Sequence, residues 1–237
     1  MTDSTVQEKN ITFPTDAKLY RKIIEWGLKV SEREHIVLRR TYTRKVKALK
    51  LKVRFMNHPT RMKEGRKAVR RLRTIAKAMV NDIARKMNGI QLSCYREDIG
   101  LYRRVIRQER GDNDKVYSFH VSAVECISKG KGHKKYEFGN KSAIAKTGSG
   151  LIVSAPAFQG NPYDGHTLSA HKEQILRLTG YGPVEALTDR GYRGKKRVGD
   201  MAVSIPSSGS PGQSCYRKRK ARRKFCKRAG IEPVIGT

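Results

Sequence analysis

Apolar positions along the chain follow two rhythms, and the change comes near Lys115. In the first part they recur every three to four residues. Leu19, Ile23, Trp26 and Val30 form one such stripe, and the spacing predicts a helix. Pro14 ends an extended run over residues 2–13, and Thr15 stands where a helix N-cap belongs. A basic stretch from Ile36 to Phe55 also reads as helical, and His58-Pro59 breaks it. A third helix is predicted from Thr60 to Met87, with Val69, Leu72, Ala76, Met79, Ile83 and Met87 on one face. Another short helical stretch, Leu101 to Gln108, precedes the polar loop ERGDNDK.

Beyond Lys115 the rhythm shortens to two. VYSFHVSAVECI alternates like a strand, and two further strands are expected in KGKGHKKYEFGNKSAIAKT and GLIVSAPAFQG. GNPYDGHT is a turn cluster, LSAHKEQILRL is a short helix closed by Gly180, and PVEALTD and MAVSIP are two more strands. PSSGSPG reads as a flexible loop, and a basic helix begins at Ser214. The predicted architecture is therefore α/β: a mixed sheet flanked by helices, with a helical insertion after its first strand. Residues 1–14 hold that strand, 15–115 form the basic insertion, and 116–237 supply the rest. The order also places strands 3–8 and 184–189 in one sheet.

Charge sharpens the picture. Lys and Arg number 52 against 21 Asp and Glu, a net charge of +31. Arg39 to Lys77 contains 16 basic residues and one acid, Glu64, and Tyr216 to Arg228 contains nine and none. Such a field draws in polyanions. Nucleic acid is the leading partner, and Arg66, Lys67, Arg70 and Arg71, lying largely off the apolar face of the third helix, are its candidate contacts. The alternative is a solvated charged face. No stretch approaches the ~20 apolar residues of a membrane span, and MTDSTVQEKN lacks the features of a signal peptide. Four widely spaced cysteines, Cys94, Cys126, Cys215 and Cys226, fit reduced thiols in a cytoplasmic chain better than a zinc site or a disulfide framework.

Against this background one carboxylate stands out. In LTDRGYRG, Asp189 ends a short apolar strand. Asp3 opens the first strand, and Glu232 follows the last basic helix. Three converging carboxylates can hold hard divalent cations, and two such cations can promote in-line displacement at a phosphodiester. By spacing alone, Asp189 reads more readily as a turn residue than as a metal ligand, and Asp3 as a frayed terminal one. Asp164 is a rival carboxylate, with helix capping as its simpler role. His166 shapes a turn or touches a phosphate. Arg228 lies one helical turn before Glu232, where it either grips a phosphate or forms an ordinary salt bridge. Tyr192 reads as packing against the Asp189 turn. His120 and His133 have nothing at metal-ligand spacing, and GKGHKK lacks the spacing of a phosphate-binding loop.

Several segments together resemble the bacterial insertion-sequence transposases of the DDE type. DSTVQEKNITFPTDAKL is similar to the segment around that family's first catalytic Asp. YSFHVSAVECISKGKGHKKYEFGNK resembles its second-strand region, and GNPYDGHTL and LTDRGYRG resemble the approach to its second catalytic Asp. Phe225, Arg228 and Glu232 fall at the spacing of the family's Tyr-x2-Arg-x3-Glu-x6-Lys motif, with Phe in place of Tyr. The resemblance spans residues 3 to 236. It implies an RNase H-like core, Asp3, Asp189 and Glu232 as catalytic and metal-binding residues, Mg²⁺ or Mn²⁺ as cofactor, and DNA cleavage and strand transfer on element ends and target DNA. It leaves a homo-oligomeric state open. Only Met1 and Thr2 precede Asp3, and the motif's Lys would fall beyond Thr237. On the family pattern, both departures predict a fragment with a mobile Asp3 and impaired catalysis.

Overall fold

The structure, a computed structural model, describes residues 1–128, 135–206 and 214–235. His133 and the Ser/Gly/Pro run that follows Pro206 lie outside the described residues. The chain is a mixed α/β protein with two compact units. One comprises Met1–Asn10 with Glu125–Thr237, and the other is Ile11–Val124.

The second unit is helical. It contains α1 (Asp16–Arg33), α2 (Thr43–Arg54), α3 (Met62–Lys86), α4 (Gly89–Cys94) and α5 (Arg96–Arg107). Thr15 caps α1 as its position predicts, its hydroxyl accepting from the Lys18 N–H at 3.4 Å. The predicted stripes are the packed ones. Leu19, Ile23 and Val30 of α1 meet Leu72, Ile75, Ala76, Met79 and Ile83 of α3 in one buried cluster, joined by Ile99, Tyr102 and Val105 of α5. Burying each such side chain contributes about 1.5–3 kcal/mol, the main force holding the helices together. Trp26 is edge-on to Tyr102 at 4.7 Å, and Tyr102 is edge-on to Phe119 at 4.9 Å.

Two local expectations are corrected here, and one short helix is added. Residues 36–42 are not helical. His35 and Tyr42 take left-handed backbone (φ 54° and 58°), so the chain turns on both sides of this segment before α2 begins. The short helix α4 was hidden by its length, although Asn88 and Gln91 form a reciprocal capping box that marks its start. Most of VYSFHVSAVECI is not strand. Val116 is buried, yet its N–H donates to Gln108 Oε1 at 3.1 Å, a side chain filling the role of a neighbouring strand.

The first unit holds two sheets. In the larger, β1 (Thr2–Glu8) runs antiparallel to β3 (Tyr136–Lys146), with Asp3 opposite Ile144 and Glu8 opposite Gly139. β2 (Glu125–Ser128) pairs with the start of β3. β4 (Ile152–Ser154) and β5 (Ala157–Phe158) pair further along it, separated at Ala155-Pro156 because proline cannot donate to the ladder. In the smaller sheet, β6 (Glu185–Leu187) lies parallel to β8 (Met201–Ser204), and β7 (Arg197–Val198) lies antiparallel to β8. The expected single sheet joining residues 3–8 to 184–189 is thus corrected, since β1 and β6 belong to separate ladders. α6 (Asp164–Thr179) ends at Gly180 in the left-handed conformation. α7 (Cys215–Cys226) is capped by Ser214 and leads through a 3-10 turn, Lys227–Ile231, into α8 (Glu232–Ile235). Leu168, Ala186, Tyr192 and Met201 form a buried cluster in this unit.

Candidate functional site

β1 presents Asp3 from a paired strand rather than a frayed end. The Met1 ammonium donates to Lys146 O at 2.7 Å, the Lys146 N–H returns to Met1 O at 2.8 Å, and the ladder continues without interruption to Glu8. The expectation of a mobile Asp3 is therefore corrected. Its side chain is 15% exposed, and Oδ1 accepts the Ser4 N–H at 2.8 Å.

Asp189 comes from β6. It follows the strand and caps the 3-10 turn Arg190–Tyr192, its Oδ1 accepting the Gly191 N–H at 2.8 Å. Its role as a turn residue is real, but Oδ2 remains for other work. Arg228 approaches from the turn after α7. Its Nη2 donates to Asp3 Oδ2 at 2.8 Å and lies 3.9 Å from Asp189 Oδ2. One guanidinium nitrogen thus faces two carboxylates that are far apart in the sequence, one on β1 and one after β6.

Asp164 makes a third wall. It is the first residue of α6, and its Oδ1 accepts both the Ser4 hydroxyl and Lys141 Nζ at 2.7 Å. A Cβ at Gly191 would stand 3.0 Å from both Asp164 Oδ2 and Asp189 Oδ1, so these two carboxylates flank the same bare backbone position. The expected capping role of Asp164 is corrected, because Tyr163 holds the N-cap position of α6 without a side-chain cap bond and the Asp164 carboxylate instead reaches Ser4, the neighbour of Asp3. Burial pushes the Asp3 carboxyl above its ordinary range. Arg228 and the Ser4 N–H oppose that rise, and the Asp189 and Asp164 charges add to it.

Tyr192 is fully buried near these carboxylates. Its ring packs in the core with Leu168 and Met201, as the sequence suggests. Its hydroxyl has no partner of good hydrogen-bond geometry, apart from a loose interaction with Thr167. Burial raises its phenol above the usual range, and the negative charge of Asp164 raises it further. His166 is exposed in the first turn of α6, its ring edge-on to Tyr163 at 5.7 Å, so it is a helical residue rather than the turn residue the sequence suggests.

Glu232 is exposed at the start of α8. Among the described residues, no three His, Cys, Asp or Glu side chains are grouped so as to hold a metal ion. The structure therefore brings Asp3 and Asp189 together and does not complete the set with Glu232. The pair itself fits a hard divalent cation. Its donors are carboxylate oxygens, and they already converge on a positive charge. Sequence reasoning did not anticipate Lys141 or Ser4, because nothing local marks either as a neighbour of Asp164.

A second feature belongs to the helical unit. Arg66, Lys67, Arg70 and Arg71 are exposed along α3, and no ion pair engages them among the described residues. Arg73 differs. It donates Nε to Ile106 O at 2.5 Å and Nη2 to Arg107 O at 3.2 Å, tying α3 to the end of α5. A cleft of about 860 Å³ has Arg21, Lys50, Arg54 and Arg70 on its walls and includes Val69 and Leu72 in its lining. In the other unit, residues 215–223 of α7 are exposed, and Lys224 ties the helix to Glu185 of β6. No described helix is long and apolar enough to cross a membrane. Comparison with protein-family models, curated proteins and solved structures gave no match.

Proposed function

We propose that this chain is a DNA-binding protein of the DDE transposase type, with Asp3 and Asp189 as its metal-binding pair. The observation that carries the reading is the convergence of Asp3 and Asp189 on Arg228, within a chain of net charge +31. The reading takes the two sheets as parts of an RNase H-like core. Bound Mg²⁺ or Mn²⁺ would activate an attacking oxygen and stabilise the leaving oxygen of a phosphodiester. The chain's own residues hold the reactants. Asp3 is fixed by the β1–β3 ladder and Asp189 by its turn, and Arg228, bonded to Asp3, would serve a phosphate beside them once released. The exposed basic residues of α3 neutralise DNA phosphates without regard to sequence. Glu232 joins the site only through movement of the α7–α8 segment.

The test is cleavage of DNA carrying the element's ends in Mg²⁺ or Mn²⁺. Loss of cleavage in Asp3→Asn and Asp189→Asn, with DNA binding retained, supports the reading. Equal cleavage by the variants refutes the assignment. A second reading, DNA binding without catalysis, is favoured by the exposed Glu232 and by the cation already seated between the two carboxylates. DNA binding with no cleavage under any metal condition would establish it.

A further inference from the structure

We propose that Arg228 is the resident counter-ion of the Asp3–Asp189 pair, that a divalent cation loads only by displacing it, and that displacement frees the guanidinium for a DNA phosphate. The inference rests on the reading of Asp3 and Asp189 as a metal-binding pair.

The way Arg228 is held carries the argument. An arginine used as a permanent clamp spreads its donors over several acceptors. Arg73 does so, placing Nε and Nη2 on two backbone carbonyls. Lys141 is also settled, with Asp164 Oδ1 at 2.7 Å and Pro162 O at 2.6 Å. Arg228 is different. Nη2 reaches both carboxylates, while Nε is buried and meets no hydrogen-bond partner among the described residues. The parallel two-bond grip of a guanidinium on a carboxylate, the strong form of this interaction, is not made. A buried donor without a partner costs free energy, so the seat is only partly satisfying to the side chain in it.

The carboxylates have the complementary problem. Asp3 and Asp189 share one guanidinium nitrogen, and Asp164 and Asp189 flank Gly191, so like charges gather here that need a cation among them. Arg228 supplies one positive charge. A divalent ion supplies two, with ligand distances that a carboxylate pair matches. The guanidinium nitrogen that lies 2.8 Å from Asp3 Oδ2 and 3.9 Å from Asp189 Oδ2 fills the gap between the two carboxylates, so an ion held by both would compete with it there. Metal loading and release of Arg228 are thus one event. The released guanidinium remains beside the metal, on the short segment between α7 and α8, where a phosphate would supply the acceptors that Nε lacks. Arg228 is accordingly a positioning residue that couples metal occupancy to phosphate binding.

Mn²⁺ binding to the full chain, read by electron paramagnetic resonance and calorimetry, tests this. Arg228→Gln is expected to tighten Mn²⁺ binding roughly fivefold, the scale of a partly exposed charge pair, and Arg228→Lys to have a smaller effect. In the unsubstituted chain, Mg²⁺ is expected to shift the Arg228 Nε–H resonance, assigned from the Arg228→Lys spectrum. This readout needs no folded variant. Unchanged or weaker Mn²⁺ binding in Arg228→Gln, with an Nε–H signal indifferent to Mg²⁺, overturns the proposal. If Mn²⁺ binds but survives both Asp3→Asn and Asp189→Asn, the metal-pair reading itself fails. If Asp189→Asn abolishes binding while Arg228 proves indifferent, that reading stands and only the counter-ion role falls.

Discussion

Acid should open the sheet-bearing unit through a single imidazole. His171 of α6 is buried, 1% exposed, and its hydrogen bonds fix its tautomer. The Ala155 N–H donates to Gln174 Oε1 at 3.1 Å, which identifies that atom as the amide oxygen. Ser154 Oγ must then give its one hydrogen to Gln174 Oε1 at 2.7 Å. His171 Nδ1, 2.8 Å from the same Oγ, can only donate to it. The ring's Nε2 is therefore a bare acceptor, buried and without a partner. Burial first, and the Met1 ammonium second, lower its pKa from 6.5 to about 4.

The linkage follows directly. Above pH 6.5 the imidazole is neutral in both folded and unfolded chains, and its contribution to stability is complete. Between pH 6.5 and 4 the unfolded chain takes up a proton that the folded one refuses, so stability falls with pH. Below 4 the loss levels off. At about 1.4 kcal/mol per tenfold difference in proton affinity, the loss totals ~3 kcal/mol. Trp26 lies in the helical unit and would not report this event. Hydrogen exchange of β3 amides would, because it measures the opening of that ladder. His171→Asn is the control, since its amide can donate where Nδ1 does and does not titrate. The unsubstituted chain should lose ~3 kcal/mol more than His171→Asn between pH 7 and 4. Parallel pH profiles, or a His171 resonance that titrates near pH 6.5, would refute the reasoning.

Three further outcomes follow from named contacts. Gly139→Ala should destabilise the β1–β3 pairing by at least ~2 kcal/mol, because its Cβ would stand 2.1 Å from the Gln7 carbonyl oxygen; exchange of the β1 and β3 amides checks this. Tyr192→Phe should change stability by under ~0.5 kcal/mol in urea unfolding, since the hydroxyl it removes has no well-formed hydrogen bond; a loss above ~2 kcal/mol would reveal a strong one. Replacing Arg66, Lys67, Arg70 and Arg71 with Gln should flatten the log–log salt dependence of DNA binding by about 3 to 4, given ~0.9 per phosphate contact. Fluorescence anisotropy across a KCl series measures it, and an unchanged slope removes α3 from the interface.

The helical unit was legible because its signal is local. Leu19 and Ile23 on α1, and Leu72, Met79 and Ile83 on α3, repeat at helical spacing, and each is buried where that spacing puts it. The sheets were less legible because pairing is not local. VYSFHVSAVECI alternates well, yet only its end finds a strand partner, and a two-residue strand such as β7 has no periodicity to detect. The same limit applies to the site. Asp3 and Asp189 were reachable through resemblance, and Arg228 through its spacing to Glu232. That Arg228 would reach Asp3 depends on a contact between residues 225 positions apart. Asp164 looked like a cap because its neighbours in sequence make a turn. Its partners Ser4 and Lys141 sit side by side only after β1 and β3 have paired.

That pairing makes the ladder part of the site. Ser4 and Lys141 lie on adjacent strands, and both end on the same oxygen of Asp164. Asp3 is the residue before Ser4, so a shift of β1 by one residue would turn its carboxylate to the other face and withdraw the Ser4 hydroxyl from Asp164. Gly139 resists such a shift at the far end of β1, where the close approach of Gln7 leaves no room for a side chain. Three carboxylates therefore gather for two different reasons. Backbone register places Asp3 and positions Ser4 and Lys141 to hold Asp164, and a turn of its own places Asp189. The lysine belongs to the strand framework. Arg228 is tied to that framework by its carboxylate contacts, which makes it the cation whose departure leaves the register intact.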